Sequence, residues 1–181
     1  MWELVAQKVM GETSTSAALE ALSASVGRLR LLNDSTETIR PAYAALAEGT
    51  WWVAALDERI LNGFGSSNKK MEAAYRAERD AHNDGRFIRG FLWARDRHTH
   101  QLPFSMSRDT TPFFGSGRGV LHISPGFIWR PSDELDEPLE GKRSPPEWRP
   151  VYDELLAGKS AWKSLNHCAR WFHLMAGHPV S

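Results

Sequence analysis

The chain has 181 residues, 41% of them apolar and 24% charged, with 22 basic and 22 acidic side chains and a formal net charge of zero. That length suits one domain with a real core, the ordinary balance excludes wholesale disorder, and the zero net charge excludes a global electrostatic case for nucleic-acid binding. No apolar run reaches the roughly 18 residues of a membrane span, and the start "MWELVAQKVMGE" lacks an apolar signal region. The one cysteine, Cys168, leaves no internal disulfide, so a cytoplasmic protein without a membrane partner is expected.

Residues 1–12 carry weak signals, compatible with a short helix or a frayed start. The run "TSTSAALEALSASVGRLRLL" spaces Leu19, Leu22, Val26, Leu29 and Leu32 as one helical face, with Ser or Thr at 13–16 as caps. "NDSTE" breaks that pattern. A second helix is expected from about Thr38 to Leu61, with Pro41 in its first turn and Ile39, Tyr43, Leu46, Trp51, Ala54 and Ile60 on its buried side. After "NGFGSSN", Asn68 is a cap for a third helix from Lys69. "HNDGR" interrupts it, and a further helix capped by Asn83 or Asp84 runs to about Thr99, ended by Pro103.

Residues 102–145 are rich in Gly and Pro and read as an insertion. Two β-like runs within it, "VLHIS" and "FIWR", suggest a hairpin turning at Pro125-Gly126, and "GSGRG" at 115–119 reads as a flexible turn. A helix opening at Pro145 or Pro146 ends at Gly158, and a last one, capped by Ser160, carries Leu165, Cys168, Phe172 and Met175. Cys168 reads as a core filler. The fold class is therefore mainly α: one domain over 1–181, a bundle of about five helices, with an irregular, β-hairpin-containing insertion at 102–145 before the last two helices.

The segment "FLWARDRHTH", residues 91–100, is where chemistry gathers. With Arg86 at zero on a helical wheel, Phe87, Ile88, Phe91 and Leu92 fall between about 100° and 240°, and Arg95 falls near 180°, inside the apolar arc. A charge there needs a partner: a carboxylate, a ligand phosphate or a cleft at a subunit interface. Arg86, Arg89 and Arg97 share the opposite, solvated or phosphate-facing stripe. His98 lies about 60° from Arg95 and His100 about 140°, so His100 meets Arg95 only if the helix unwinds or a second copy supplies the other half. Charge is uneven nearby. Six arginines lie between 86 and 118 against Asp96 and Asp109, and six acids lie between 133 and 147 against Lys142 and Arg143.

Arg95-Asp96-Arg97-His98-Thr99-His100 resembles the signature of the HEPN superfamily, named for nucleotide-binding domains of higher eukaryotes and prokaryotes: an arginine, a polar residue, a few variable residues, then histidine. "GFLWARDRHTHQ" and "YDELLAGKSAWKSL" are similar to segments of HEPN-like bacterial proteins. The resemblance implies a metal-independent endoribonuclease, of toxin or defence type, that needs no cofactor, acts as a homodimer on RNA and has an antitoxin or regulator as a further partner. It implies His100 as general base or acid, Arg95 as the cation facing the scissile phosphate, and Asp96 as an orienting group. Arg97, His98, Arg89 and Arg86 would hold flanking phosphates, and the product would be a 2′,3′-cyclic phosphate. Two rivals stand beside this reading. One is a non-catalytic, dimeric helical interaction or nucleotide-binding module, with the eight tryptophans holding a partner. The other is a metal site built on His98 and His100 with His82 or His122, whose spacing matches no strong zinc pattern.

Overall fold

A computed structural model describes residues 2–33, 39–101, 105–109, 113–114, 121–122, 126–135 and 145–178, with the side chains of 97–101, 113–114 and 121–122 outside the description. Seven helices form its body: α1 Trp2–Met10, α2 Thr13–Asn33, α3 Ile39–Gly63, α4 Lys69–Ala81, α5 Phe87–Gln101, α6 Trp148–Leu155 and α7 Ala161–Met175. Four short strands lie between α5 and α6: β1 Met106–Asp109, β2 Phe113–Phe114, β3 Leu121–His122 and β4 Gly126–Trp129. The mainly helical bundle with a β-containing insertion is as the sequence predicts.

Apolar periodicity places the long helices well. On α2, Leu19, Leu22, Val26 and Leu29 are all buried, and on α7 so are Leu165, Cys168, Phe172 and Met175. On α3 the buried stripe takes in Ala42, Leu46, Thr50, Val53, Asp57 and Ile60. Trp51 is not in that stripe, contrary to expectation: it is 55% exposed and meets Trp52 edge-on at 4.5 Å. Successive helical positions turn by about 100°, so Thr50 and Val53 occupy the inward direction and Trp51 is carried off it. Close helix contacts require glycine at two places on this framework. A Cβ on Gly49 would come within 2.5 Å of Leu165, and one on Gly63 within 2.4 Å of Val9. These contacts seat α7 and α1 on α3.

The expected caps are only half right. Asn68 and Ser160 stand at the N-terminal ends of α4 and α7, but neither side chain caps its helix. The work is done by backbone carbonyls: Asn68 accepts from Met71 and Glu72, and Ser160 accepts from Ser164. Gly158 adopts φ +69°, as a chain reversal between α6 and α7 requires.

The strands correct the expected hairpin. Among the described residues, "VLHIS" and "FIWR" do not pair with each other; each pairs with an earlier strand. β4 pairs antiparallel with β1, Met106 opposite Trp129 and Asp109 opposite Gly126. β3 pairs with β2, Phe113 opposite His122 and Phe114 opposite Leu121. The glycine-rich 115–119 segment, read from the sequence as a flexible turn, lies outside the described residues. Nor is this region merely an insertion over the bundle. Met106, Phe127 and Trp129 belong to the hydrophobic core, and Trp129 meets Phe91 edge-on at 5.0 Å. The base is fastened by three helices. Asn33 Oδ1 accepts from the Phe127 N–H at 3.0 Å. The Tyr43 and Tyr152 hydroxyls donate to the carbonyls of Met106 and Arg130, each at 2.6 Å. On its other edge β4 bonds the α6–α7 turn, Trp129 N–H to Lys159 O at 3.0 Å and Gly158 N–H to Trp129 O at 2.8 Å.

Within the core also lies a charge. Arg79 of α4 is 1% exposed. Its Nη1 donates to Asp57 Oδ2 of α3 at 2.7 Å, and its Nη2 lies 2.9 Å from Asp80 Oδ1. The Tyr75 hydroxyl donates to Asp57 Oδ1 at 2.8 Å and accepts from the Trp171 indole of α7 at 3.4 Å. Burial opposes the Arg79 charge, but Asp57 and Asp80 outweigh it and hold the guanidinium above its ordinary value. Burial, then the Asp57 carboxylate, pushes the Tyr75 phenol up, so it stays neutral. Burial likewise raises the Cys168 thiol, as befits a core filler.

Removing one partner of such a pair strands the other charge. Asp57→Ala is expected to cost about 3–5 kcal/mol in urea unfolding, and Tyr75→Phe about 1–2 kcal/mol. Gly85→Ala should cost about 1–3 kcal/mol, because its Cβ would meet the Arg79 carbonyl at 2.5 Å and the Trp171 ring at 3.0 Å. A pH effect arises at His173, whose Nε2 faces the Ser23 hydroxyl at 3.1 Å and whose Nδ1 faces His178 at 3.3 Å. Partial burial, then His178, holds its pKa below the ordinary 6.5. The unfolded chain therefore binds the proton first. This contribution to stability is complete above that value and is lost as pH falls from it through the folded-state pKa. Urea midpoints across that range should fall less in His173→Gln than in the parent.

Candidate functional site

Helix α5 carries the motif, and close packing sets its position. Gly85, in the turn before it, passes against Trp171. Gly90 does the same against α6, where a Cβ would meet Leu156 at 2.7 Å. Ile88, Phe91, Leu92, Trp93 and Ala94 are all buried, so the middle of α5 is covered nearly all round. Trp93 packs on Tyr152 at 4.5 Å between ring centres.

The cover thins at the motif. The Arg95 side chain is 37% exposed and that of Asp96 19%, with Arg95 Nη2 3.3 Å from Asp96 Oδ1. The wheel asks for a partner at Arg95, and a carboxylate, Asp96, stands beside it. The arc buries Phe91 and Leu92, and by Arg95 the cover has thinned without ending. A separation of 3.3 Å is long for a charge-assisted hydrogen bond, and adjacent helical positions do not face each other. Asp96 is thus a loose neighbour of a side chain that stays about a third exposed.

The α5 backbone stays helical through Gln101. It therefore does not unwind between Arg95 and His100, and these positions remain about 140° apart around the axis. Within one copy the helix does not bring them together. The side chains of Arg97, His98 and His100 lie outside the described residues.

Arg86 and Arg89 are both engaged. Arg86 Nη2 is 2.6 Å from Glu154 Oε1 of α6, and Arg89 Nη1 is 3.3 Å from Asp80 Oδ2 of α4. Arg89 Nε is buried without a hydrogen-bond partner among the described residues. Both arginines join α5 to its neighbours, and a phosphate would compete with a carboxylate at each. Trp129 is fully buried and Trp148 is half-buried against the core. His82 packs beside Trp171, ring centres 5.1 Å apart, and its Nδ1 accepts from the Asp84 N–H at 3.1 Å. Among the described residues no cluster of three or more His, Cys, Asp or Glu is placed to hold a metal ion, and no helix is long and apolar enough to cross a membrane.

The sequence pattern missed the acid partners of these groups. Asp84, expected as a helix cap, instead faces two residues of α7: Oδ1 lies 2.6 Å from His167 Nδ1 and Oδ2 lies 3.3 Å from Arg170 Nε. His167 in turn stacks flat on Phe87, ring centres 4.2 Å apart at 5°. More than 80 positions separate Asp84 from these partners, so no local spacing signals the contact.

Because Arg95 emerges at the edge of cover, Arg95→Ala should change the unfolding free energy by less than about 1 kcal/mol. A loss of several kcal/mol in urea titration would instead assign it a structural charge's role. No protein-family model, curated protein or solved structure matches this chain.

Proposed function

We propose that the protein is a metal-independent endoribonuclease whose site is completed between two copies of the chain. The observation that carries this reading is the change along α5, from the buried Ile88, Phe91, Leu92, Trp93 and Ala94 to an Arg95 whose side chain is 37% exposed beside Asp96. A bundle that needed this helix only for packing would gain nothing from an arginine, an aspartate and two histidines at its emerging end. RNA carries its own nucleophile, the 2′-hydroxyl, and needs two things from a protein. One is a group titrating near neutrality to move its proton, which His100 supplies. The other is a cation for the charge that develops on the phosphate, which Arg95 supplies. Asp96 orients Arg95. The attack forms the 2′-oxygen–phosphorus bond, breaks the 5′-oxygen–phosphorus bond, and leaves a 2′,3′-cyclic phosphate and a 5′-hydroxyl. Since a continuous α5 holds the two positions about 140° apart, Arg95 of one copy works with His100 of the other.

In excess chelator, RNA cleavage by the parent chain should leave cyclic ends, and folded Arg95→Ala and His100→Ala should each be slower by about a hundredfold or more. Mixing the two variants should restore part of the activity, because one of the two shared sites is then intact. No cleavage of any RNA by a strictly monomeric parent would overturn the proposal. It would favour an interaction module that uses exposed side chains such as Trp51.

A further inference from the structure

We propose that the C-terminal end of α7 holds a zinc ion between His173 and His178. It does not rest on the ribonuclease reading, which needs no metal. The two residues are five positions apart, and an unbroken helix would set them about 140° apart around its axis. The helix instead ends in a left-handed turn. Gly177 adopts φ +76°. The His178 N–H bonds the His173 carbonyl at 2.9 Å, and the Gly177 N–H bonds the Leu174 carbonyl at 3.0 Å. These two bonds fold the chain back over the last turn and bring together the side chains at either end of it. Apolar side chains commonly meet in such a turn. Here two imidazoles meet, with Nδ1 of His173 3.3 Å from Nδ1 of His178.

Three features point to a metal rather than to two solvated histidines. First, the spacing is that of two ligands on one ion. At the usual zinc–nitrogen length of about 2.0–2.1 Å, nitrogens 3.3 Å apart subtend about 105–110°, close to the tetrahedral angle. A square-planar ion would need them at about 2.9 Å. Second, the tautomer of His173 is set by α2. The Ser23 hydroxyl donates to the Leu19 carbonyl at 2.9 Å, so at 3.1 Å its oxygen accepts from the His173 Nε2–H. Nδ1 of His173 is then a lone pair facing His178. That is the form a metal ligand requires, and the bond on the far nitrogen is the support that ligating histidines commonly have. Third, the pair sits at the carboxyl end of a helix, where the backbone dipole favours a cation. His178 is exposed and His173 half-buried, so an ion enters from solvent. A turn of the exposed His178 ring lets both lone pairs converge on it. His178 then carries its proton on Nε2, and two waters complete the tetrahedron.

The test is titration of the full chain, free of any affinity tag, with zinc chloride, followed by calorimetry and by the ring resonances of His173 and His178. One zinc ion per chain is expected to bind saturably, to be removed by chelator and to raise the urea midpoint. Affinity should fall about tenfold or more in His173→Gln and in His178→Gln, and about tenfold in Ser23→Ala, which keeps both ligands but frees the His173 ring. His178→Gln replaces an exposed side chain, so its effect is not one of folding. Binding should be unchanged in His82→Gln and in His98→Ala/His100→Ala, so loss of RNA cleavage and loss of this site are separable. Magnesium, which prefers oxygen ligands, should not compete. The proposal is overturned if saturable zinc binding is absent or leaves the His173 and His178 resonances in place. It is overturned equally if the His82 or the His98/His100 variant weakens binding as much as His178→Gln does.

Discussion

The ion pair between Arg79 and Asp57 sets the terms for much of the bundle. A guanidinium that is 1% exposed is tolerable only where every strong donor finds an acceptor. Three helices meet that need: α4 brings Arg79, Asp80 and Tyr75, α3 brings Asp57, and α7 brings Trp171. Asp80 extends the chain of charge to Arg89 on α5. Four helices are thus held in one arrangement by groups that tolerate little displacement, where apolar contacts alone would permit some sliding.

The site helix inherits its position from this arrangement. Arg89 ties the first turn of α5 to Asp80, Gly85 lets the preceding turn lie against Trp171, and Gly90 lets α5 approach α6. The consequence appears two turns later, where the cover thins and the Arg95 side chain becomes partly exposed beside Asp96. Reactive side chains on a loop would wander. Arg95 and Asp96, on a helix pinned at its other end, are instead held in a fixed direction.

Sequence pattern revealed the parts of this molecule that obey a local rule. Leu19, Leu22, Val26 and Leu29 announce α2 because burial repeats with the helical period. Gly158 announces a reversal because few other residues adopt its φ. The arginine–aspartate–histidine cluster on α5 was visible as a misfit to an apolar face. What stayed hidden depends on tertiary neighbours. The depth of Arg95 is set by where other helices end, which its own helical wheel does not contain. The fates of Arg86 and Arg89 are decided by Glu154 and Asp80, and that of Asp84 by His167, 83 positions away. The strand runs were found, but their partners were misjudged, because Pro125-Gly126 resembles a hairpin turn while the actual partners, Met106–Asp109 and Phe113–Phe114, lie earlier in the chain.

The bond from Asn33 to Phe127 spans 94 positions of the chain. It closes a loop that contains α3, α4 and α5, and loop closure of this length is repaid only once the enclosed helices have packed. The same strand is bonded on its other side to Lys159 and Gly158. During synthesis, therefore, the base of the strand pair cannot be finished until the chain beyond residue 159 has left the ribosome. The strand that follows the motif on α5 is thus fastened only after α6 and the turn to α7 have been made, so the motif acquires its final surroundings well after its own synthesis.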